Sequence, residues 1–171
     1  MGRISRQVMF MDMARAAQRR STCFRVNVGA IVTHQNSPVS VGWNGQQAGA
    51  PHCAGNDCPG IVPGNCGTLH AEQNAILKAD QILGKDFYAE PVEVDLYVTH
   101  SPCRDCCEYI QGAFVWVRRL FFEVPYRNTD HLGMLREPTG PLSRQRVTEV
   151  YEVNPAGYIV DYFSRRVVEL P

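Results

Sequence analysis

Two short runs constrain this chain more than any other feature: His70-Ala71-Glu72 and, further on, Pro102-Cys103-Arg104-Asp105-Cys106. One imidazole and a Cys-x-x-Cys pair make three ligands of the N and S type that zinc prefers. They leave the fourth position free, as catalytic zinc sites do. A Cys-x-x-Cys at a helix start puts both sulfurs on the first turn, where exposed N–H groups and the helix dipole favour thiolates. Pro102 suits such a start. His70 also opens a helical pattern, so two helix N-termini can converge on one ion. Glu72, two residues past His70, is near that ion but points differently, as a proton carrier would. Alone, Cys-x-x-Cys is often a structural zinc corner or a redox pair, and His-x-Glu carries no information. The joint pattern, with both halves at helix starts, favours a catalytic zinc.

The rest of the chain reads as alternating helix and strand. Residues 4–20 carry a helical apolar stripe (Ile4, Val8, Met11, Ala14, Ala17). Val26–Val32 reads as a strand and Val39-Ser40-Val41 starts a second, joined by the turn composition His34-Gln35-Asn36-Ser37-Pro38. A segment over 46–68 is rich in Gly, Pro and Cys and lacks periodicity; loops of that length are functional, metal-stapled or disordered. Helical spacing runs from His70 to Leu83, with Gly84 as the stop. Residues 92–98 alternate as a strand, 103–115 read as a helix, 118–124 as a strand and 126–130 as a loop. The runs 147–153 and 158–163 are strand-like and flank the turn Asn154-Pro155-Ala156-Gly157. This order predicts one α/β domain over 1–171 around a mixed sheet, with 131–171 as a divergent extension that lengthens the sheet or builds an oligomer contact.

The formal net charge is zero, which argues against a polymeric nucleic acid as the partner. The first twenty residues are not read as a signal peptide, because Val8-Met9-Phe10-Met11 is short and followed by Asp12 and Arg15. No apolar run reaches membrane-spanning length. The expectation is a cytoplasmic protein whose seven cysteines bind metal or stay as buried thiols.

His70-Ala71-Glu72-Gln73-Asn74-Ala75-Ile76 with Ser101-Pro102-Cys103-Arg104-Asp105-Cys106 resembles the deoxycytidylate (dCMP) deaminases, bacteriophage enzymes among them, of the zinc-dependent cytidine deaminase superfamily. Val28-Gly29-Ala30-Ile31-Val32, the run Gly42-Trp43-Asn44-Gly45 (usually Gly-Tyr-Asn-Gly) and Tyr126 also look like that family, over about residues 5–130. Related cytidine and tRNA-adenosine deaminases share the zinc motif but lack the Gly-aromatic-Asn-Gly element and the Cys-rich insert. The resemblance implies a three-layer α/β/α sandwich around a mixed five-stranded sheet. It implies zinc on His70, Cys103 and Cys106, with Glu72 as the proton shuttle in hydrolysis of dCMP to dUMP, a precursor of dTMP, and ammonia. It also implies substrate contacts at Asn44 and Tyr126, with Ala71 and Ser101 beside the motif and Arg25, Asn27 or Arg127 offering donors to a phosphate. Asn44 also fits a turn residue, and Tyr126 a cap on the pocket.

Some phage dCMP deaminases carry a second zinc in the insert, and Cys23 and Cys53 match two of its ligand positions. A structural zinc on Cys23, Cys53, Cys58 and Cys66 is therefore expected, with buried free thiols as the other reading and His52 as another ligand; Cys107 reads as a small buried side chain. The resemblance further implies a homo-oligomer, often a hexamer, to which Trp116-Val117 and Leu120-Phe121-Phe122 could give apolar surface if they are not core. It implies dCTP and dTTP as effectors. The chain departs from the pattern at Trp43, at Gln47 where Pro is usual, and at Arg104 inside Cys-x-x-Cys. Other readings stay open: a deaminase of a 5-substituted dCMP or of free (deoxy)cytidine, or a silent zinc scaffold, against which the intact Glu72 argues.

Overall fold

Apolar side chains along the central strands alternate between two faces, and helices cover each face. The computed structural model describes residues 2–47, 49–53, 67–84, 90–137 and 147–170. Its strands are β1 (Gly29–His34), β2 (Ser37–Trp43), β3 (Glu93–His100), β4 (Trp116–Val124), β5 (Glu149–Val153), β6 (Ile159–Asp161) and β7 (Val167–Val168). They form one sheet in the order β2-β1-β3-β4-β5-β6-β7. β3, β4 and β5 run parallel and the remaining pairs are antiparallel, so the sheet is mixed.

Helix α1 (Arg6–Gln18) covers one face. The Ser5 hydroxyl caps it, accepting the Val8 N–H at 3.2 Å. Phe10, Met11 and Ala14 pack there with Ile31, Tyr97, Phe121 and Tyr151. Tyr97 stacks on Phe121 and Phe121 on Tyr151, with ring centroids 4.5 and 5.0 Å apart. Helices α2 (Ala71–Leu83) and α3 (Arg104–Gly112) cover the opposite face, where Ala75, Ile76, Cys107 and Ile110 meet Ala30, Val32, Leu96, Val98, Leu120 and Phe122. The outcome is the expected three-layer sandwich, with seven strands rather than five. β6 and β7 account for the excess, and β7, two residues long, is below what period-2 reading can detect.

Two glycines let the layers close. A Cβ at Gly29 would sit 2.1 Å from the Ala14 carbonyl oxygen in α1. A Cβ at Gly42 would sit 2.2 Å from the Ala71 carbonyl oxygen and 2.5 Å from the Ala75 nitrogen in α2. Each contact is backbone against backbone, so neither strand tolerates a side chain there.

Several element boundaries differ from the sequence expectation: β2 starts at Ser37 rather than Val39, and β4 at Trp116 rather than Arg118. The first strand starts at Gly29, not Val26, because the Val26 carbonyl and the Val28 N–H and carbonyl bond to Asn44, and the Asn27 carbonyl to Gln18. α3 stops at Gly112 instead of 115: Ala113 is extended, and the Val115 N–H bonds to the Asp80 carboxylate at 2.8 Å. The stretch after Tyr126 contains a 3-10 helix, Asp130–Arg136, which the sequence reading did not find. Val117, Leu120, Phe121 and Phe122 are buried in the chain's own core, which settles them as core strand. The extension lengthens the sheet: β5 pairs with β4 through Arg119–Phe122. Among the described residues, no helix is long and apolar enough to cross a membrane.

Candidate active site

The site forms where α2 and α3 begin, at the carboxyl end of β3, the place at which α/β sheets commonly bind ligands. His70 is the N-cap of α2 and Cys103 the N-cap of α3. The Gln73 side chain reaches back to accept the His70 N–H at 3.1 Å, and the Asn74 amide donates to the Trp43 carbonyl at 3.0 Å. These two bonds fix the first turn of α2 against the end of β2. Gly45 and Leu69 form a two-way bridge, 3.2 and 3.1 Å, at the base of the long Cys-rich segment, so the chain enters α2 from a fixed point.

His70 Nδ1 lies 3.1 Å from Cys106 Sγ and 3.5 Å from Cys103 Sγ, and the three donor atoms all lie within 4.8 Å of one another. A tetrahedral zinc with ordinary Zn–N and Zn–S bonds would hold N and S about 3.6 Å apart. Donor type and spacing both fit zinc. This is the one group of three or more His, Cys, Asp and Glu ligands at metal-binding distance among the described residues. Hydrogen bonds from Cys106 and from His70 pull the Cys103 thiol down to about 4, while the shared proton and burial push Cys106 up. The hydrogen bond to Cys103 raises the His70 imidazole against the cost of burial. A divalent cation would replace the protons this cluster shares.

Glu72 is 4% exposed, and burial raises its carboxyl to about 7. It lines a cavity together with His70, Ala71, Cys103, Asn44, Ser101, Tyr126 and Arg25. The structure thus gathers most residues singled out in the sequence around one cavity; Cys106 stands behind it as the buried donor.

Asn44 is held inside the protein. Its Oδ1 accepts from the Ser21 hydroxyl at 2.6 Å and from the Val28 N–H at 2.8 Å, and its Nδ2 donates to the Val26 carbonyl at 2.6 Å. One amide hydrogen is left for a ligand. Asn44 therefore shapes the wall formed by Val26 and Val28, a role spacing alone could not reveal. Ser101 is buried; its Oγ accepts the Tyr126 N–H at 2.8 Å, which sets the tyrosine at the cavity rim. Arg25 is exposed at the cavity, and Arg127 is exposed with its guanidinium over the Tyr126 ring at 5.1 Å. Asn27 is exposed, and its carbonyl accepts from the Gln18 amide at 2.7 Å.

The sequence reading missed Thr68 and His100 in the cavity wall. His100 ends β3, so its place was readable from the rule that ligands sit at carboxyl ends of parallel strands. Cys23 lines this cavity, and the Cys53 thiol receives the Gln46 amide at 3.7 Å. Cys58 and Cys66, the other expected ligands of a second zinc, lie outside the described residues. Cys107 is buried, as expected, which pushes its thiol up to about 12.

Comparison with known proteins places this arrangement in a class. The family model "Cytidine and deoxycytidylate deaminase zinc-binding region" matches residues 4–122. ComE operon protein 2 of Bacillus subtilis (strain 168) is 33% identical over 141 residues, 82% of this chain and 70% of that protein. Deoxycytidylate deaminase of Mycobacterium phage D29 is 35% identical over 117 residues, 61% of this chain and 84% of that protein. Among solved structures, the dCMP deaminase of cyanophage S-TIM5 in complex with dCMP and dUMP superposes with a TM-score of 0.62 at 31% identity, covering 85% of this chain and 95% of that one.

The chain belongs to the cytidine and deoxycytidylate deaminase family, whose reaction makes it a hydrolase of carbon–nitrogen bonds.

Proposed function

We propose that the protein hydrolyses dCMP to dUMP and ammonia, with Glu72 moving the protons. The observation that carries this reading is the placement of one buried carboxyl and three soft metal donors around a single cavity, in a chain similar to a phage enzyme solved with dCMP and dUMP. Zinc on His70, Cys103 and Cys106 would supply a water acidic enough to attack C4 of the cytosine at neutral pH. Glu72 takes the proton of the attacking water and passes it to N3. It then takes the proton of the new C4 hydroxyl and gives it to the C4 amine, so that the C4–N bond breaks, ammonia leaves and C4 becomes the carbonyl of the product. A carboxyl held near 7 exchanges protons in both directions close to neutrality. The remaining Asn44 amide hydrogen contacts the sugar, Tyr126 closes over the base, and Ala71 and Ser101 complete the wall. Arg25, at the exposed mouth, meets the 5′-phosphate.

The product dUMP serves the synthesis of dTMP. The protein works in the cytoplasm as a single deaminase domain over 1–171 and as a homo-oligomer, a hexamer in the manner of the family it resembles, with dCTP and dTTP as effectors. A second zinc on Cys23, Cys53, Cys58 and Cys66 staples the long segment before α2.

Steady-state assays of the zinc-loaded protein on dCMP, 5-methyl-dCMP, CMP and deoxycytidine test the substrate. The expected result is the highest kcat/KM on dCMP. Equal values for dCMP and deoxycytidine would remove the phosphate from the account, and a higher value for 5-methyl-dCMP would move the assignment to the substituted nucleotide.

A further inference from the structure

The zinc-ligand helix α3 is tied to a part of the chain that the sequence motifs leave unexplained. Its N-cap, Cys103, follows Pro102, which is buried and has no N–H. The helical ladder begins one residue later, with the Cys107 N–H on the Cys103 carbonyl at 2.9 Å. The Pro102 carbonyl therefore lies outside the ladder and needs another partner, since a buried carbonyl left unpaired is costly. His131 provides it: the imidazole Nε2 is 2.7 Å from the Pro102 oxygen. A carbonyl only accepts, so Nε2 carries the hydrogen.

The element bearing His131 is itself fastened from several sides. His131 belongs to the 3-10 helix Asp130–Arg136, whose Leu132 and Leu135 are fully buried. Gln111, at the far end of α3, donates to the Met134 and Glu137 carbonyls at 2.7 and 2.8 Å. The Tyr162 hydroxyl, just past β6, donates to Thr129 Oγ1 at 2.7 Å, and the Val147 N–H bonds to the Leu135 carbonyl at 3.0 Å. The 3-10 helix thus grips α3 at both ends, through His131 at the start and Gln111 at the finish.

We propose that His131 is a positioning residue for the zinc site: by holding the Pro102 carbonyl it fixes the corner that presents Cys103, and it makes the extension after β4 part of the metal site's support. The inference rests on the zinc reading above. Groups that orient metal ligands from behind are worth about 10- to 100-fold in metal affinity or activity when removed.

The test compares the full-length protein with four variants, His131→Ala, His131→Asn, His131→Gln and Tyr162→Phe. Zinc affinity is measured by chelator competition, cobalt-substituted protein is examined by absorption spectroscopy, and kcat and KM are measured on dCMP. His131→Ala and His131→Asn, whose side chains do not reach Pro102, are expected to bind zinc about 10- to 100-fold more weakly. They should also show an altered cobalt–thiolate spectrum and a lower kcat with KM little moved. His131→Gln, which places an amide N–H where Nε2 stands, should recover most of both signals. Tyr162→Phe loosens the extension without touching Pro102 and should lower thermal stability while weakening zinc binding much less than His131→Ala does. Parent-like zinc affinity in both His131→Ala and His131→Asn would overturn the inference, as would an equal loss of affinity in Tyr162→Phe. If His131→Ala does not fold, the contrast between His131→Asn and His131→Gln decides. A parent protein that binds no zinc would instead overturn the functional reading on which this one stands.

Discussion

His70 and Cys106 face each other across two helix starts, with Nδ1 and Sγ 3.1 Å apart, although they are 36 residues apart in sequence. Both are set by the helix starts that carry them, and Cys103 Sγ lies 3.5 Å from the same Nδ1, so one cation can take all three donors. Stripping the metal should therefore leave the fold and abolish deamination, and added zinc should restore it. Because its neighbours hold Cys103 as a thiolate down to about 4, stripped protein should be alkylated there at pH 6, where an ordinary thiol is protonated and slow. Cys106 is buried and pushed up, so it should lag. Peptide mapping by mass spectrometry reads both rates, and zinc should protect both cysteines.

The two close-approach glycines make separable predictions. Gly42→Ala drives a methyl into the first turn of α2, next to Glu72. It should destabilise the protein by about 1–3 kcal/mol or more and also lower the activity of the folded fraction. Gly29→Ala strikes α1 on the opposite face. It should cost comparable stability with much less effect on kcat. Thermal unfolding together with specific activity distinguishes the two.

Asn44→Ala removes one acceptor oxygen, which takes two hydrogen bonds, and one donor, leaving the Val28 N–H without its partner, at a cost of about 1–3 kcal/mol. Asn44→Asp keeps the acceptor oxygen but sets its second carboxylate oxygen against the Val26 carbonyl. Both variants should raise KM for dCMP more than they lower kcat, since the wall moves while the metal donors stay. A change confined to kcat would contradict this placement.

Metal analysis of the purified protein should give two zinc ions per chain, and Cys53→Ser should reduce that to one while His70, Cys103 and Cys106 keep theirs. One zinc per chain in the parent would remove the second site.

The chemistry of the site was legible because its ligands sit at helix starts, where local sequence dictates local structure. His70, Cys103 and their neighbours needed no long-range information. Gly84 as a stop and the alternation through Leu96 and Val98 were equally local, which is why the central layers could be read. What escaped depended on tertiary partners. Val26–Val28 has strand composition, but Asn44 takes the Val26 carbonyl and the Val28 N–H, so the ladder starts three residues later. The 3-10 helix from Asp130 had a faint signal: an Asn128 side chain accepting the Asp130 N–H, then Leu132 and Leu135 three apart. Its grip on α3 through His131 and Gln111 has no sequence signature, because it joins segments whose spacing says nothing about contact.

In the proposed zinc-dependent deamination of dCMP, Glu72 carries the protons. Glu72→Gln keeps size and hydrogen bonding but cannot accept a proton, so zinc-loaded Glu72→Gln protein should retain the parent's metal content and melting behaviour. Its rate of dUMP formation should fall by about 10²- to 10⁴-fold. Conversion of dCMP to dUMP at the parent's rate by that variant, fully loaded and folded, would contradict a proton-carrying role for Glu72.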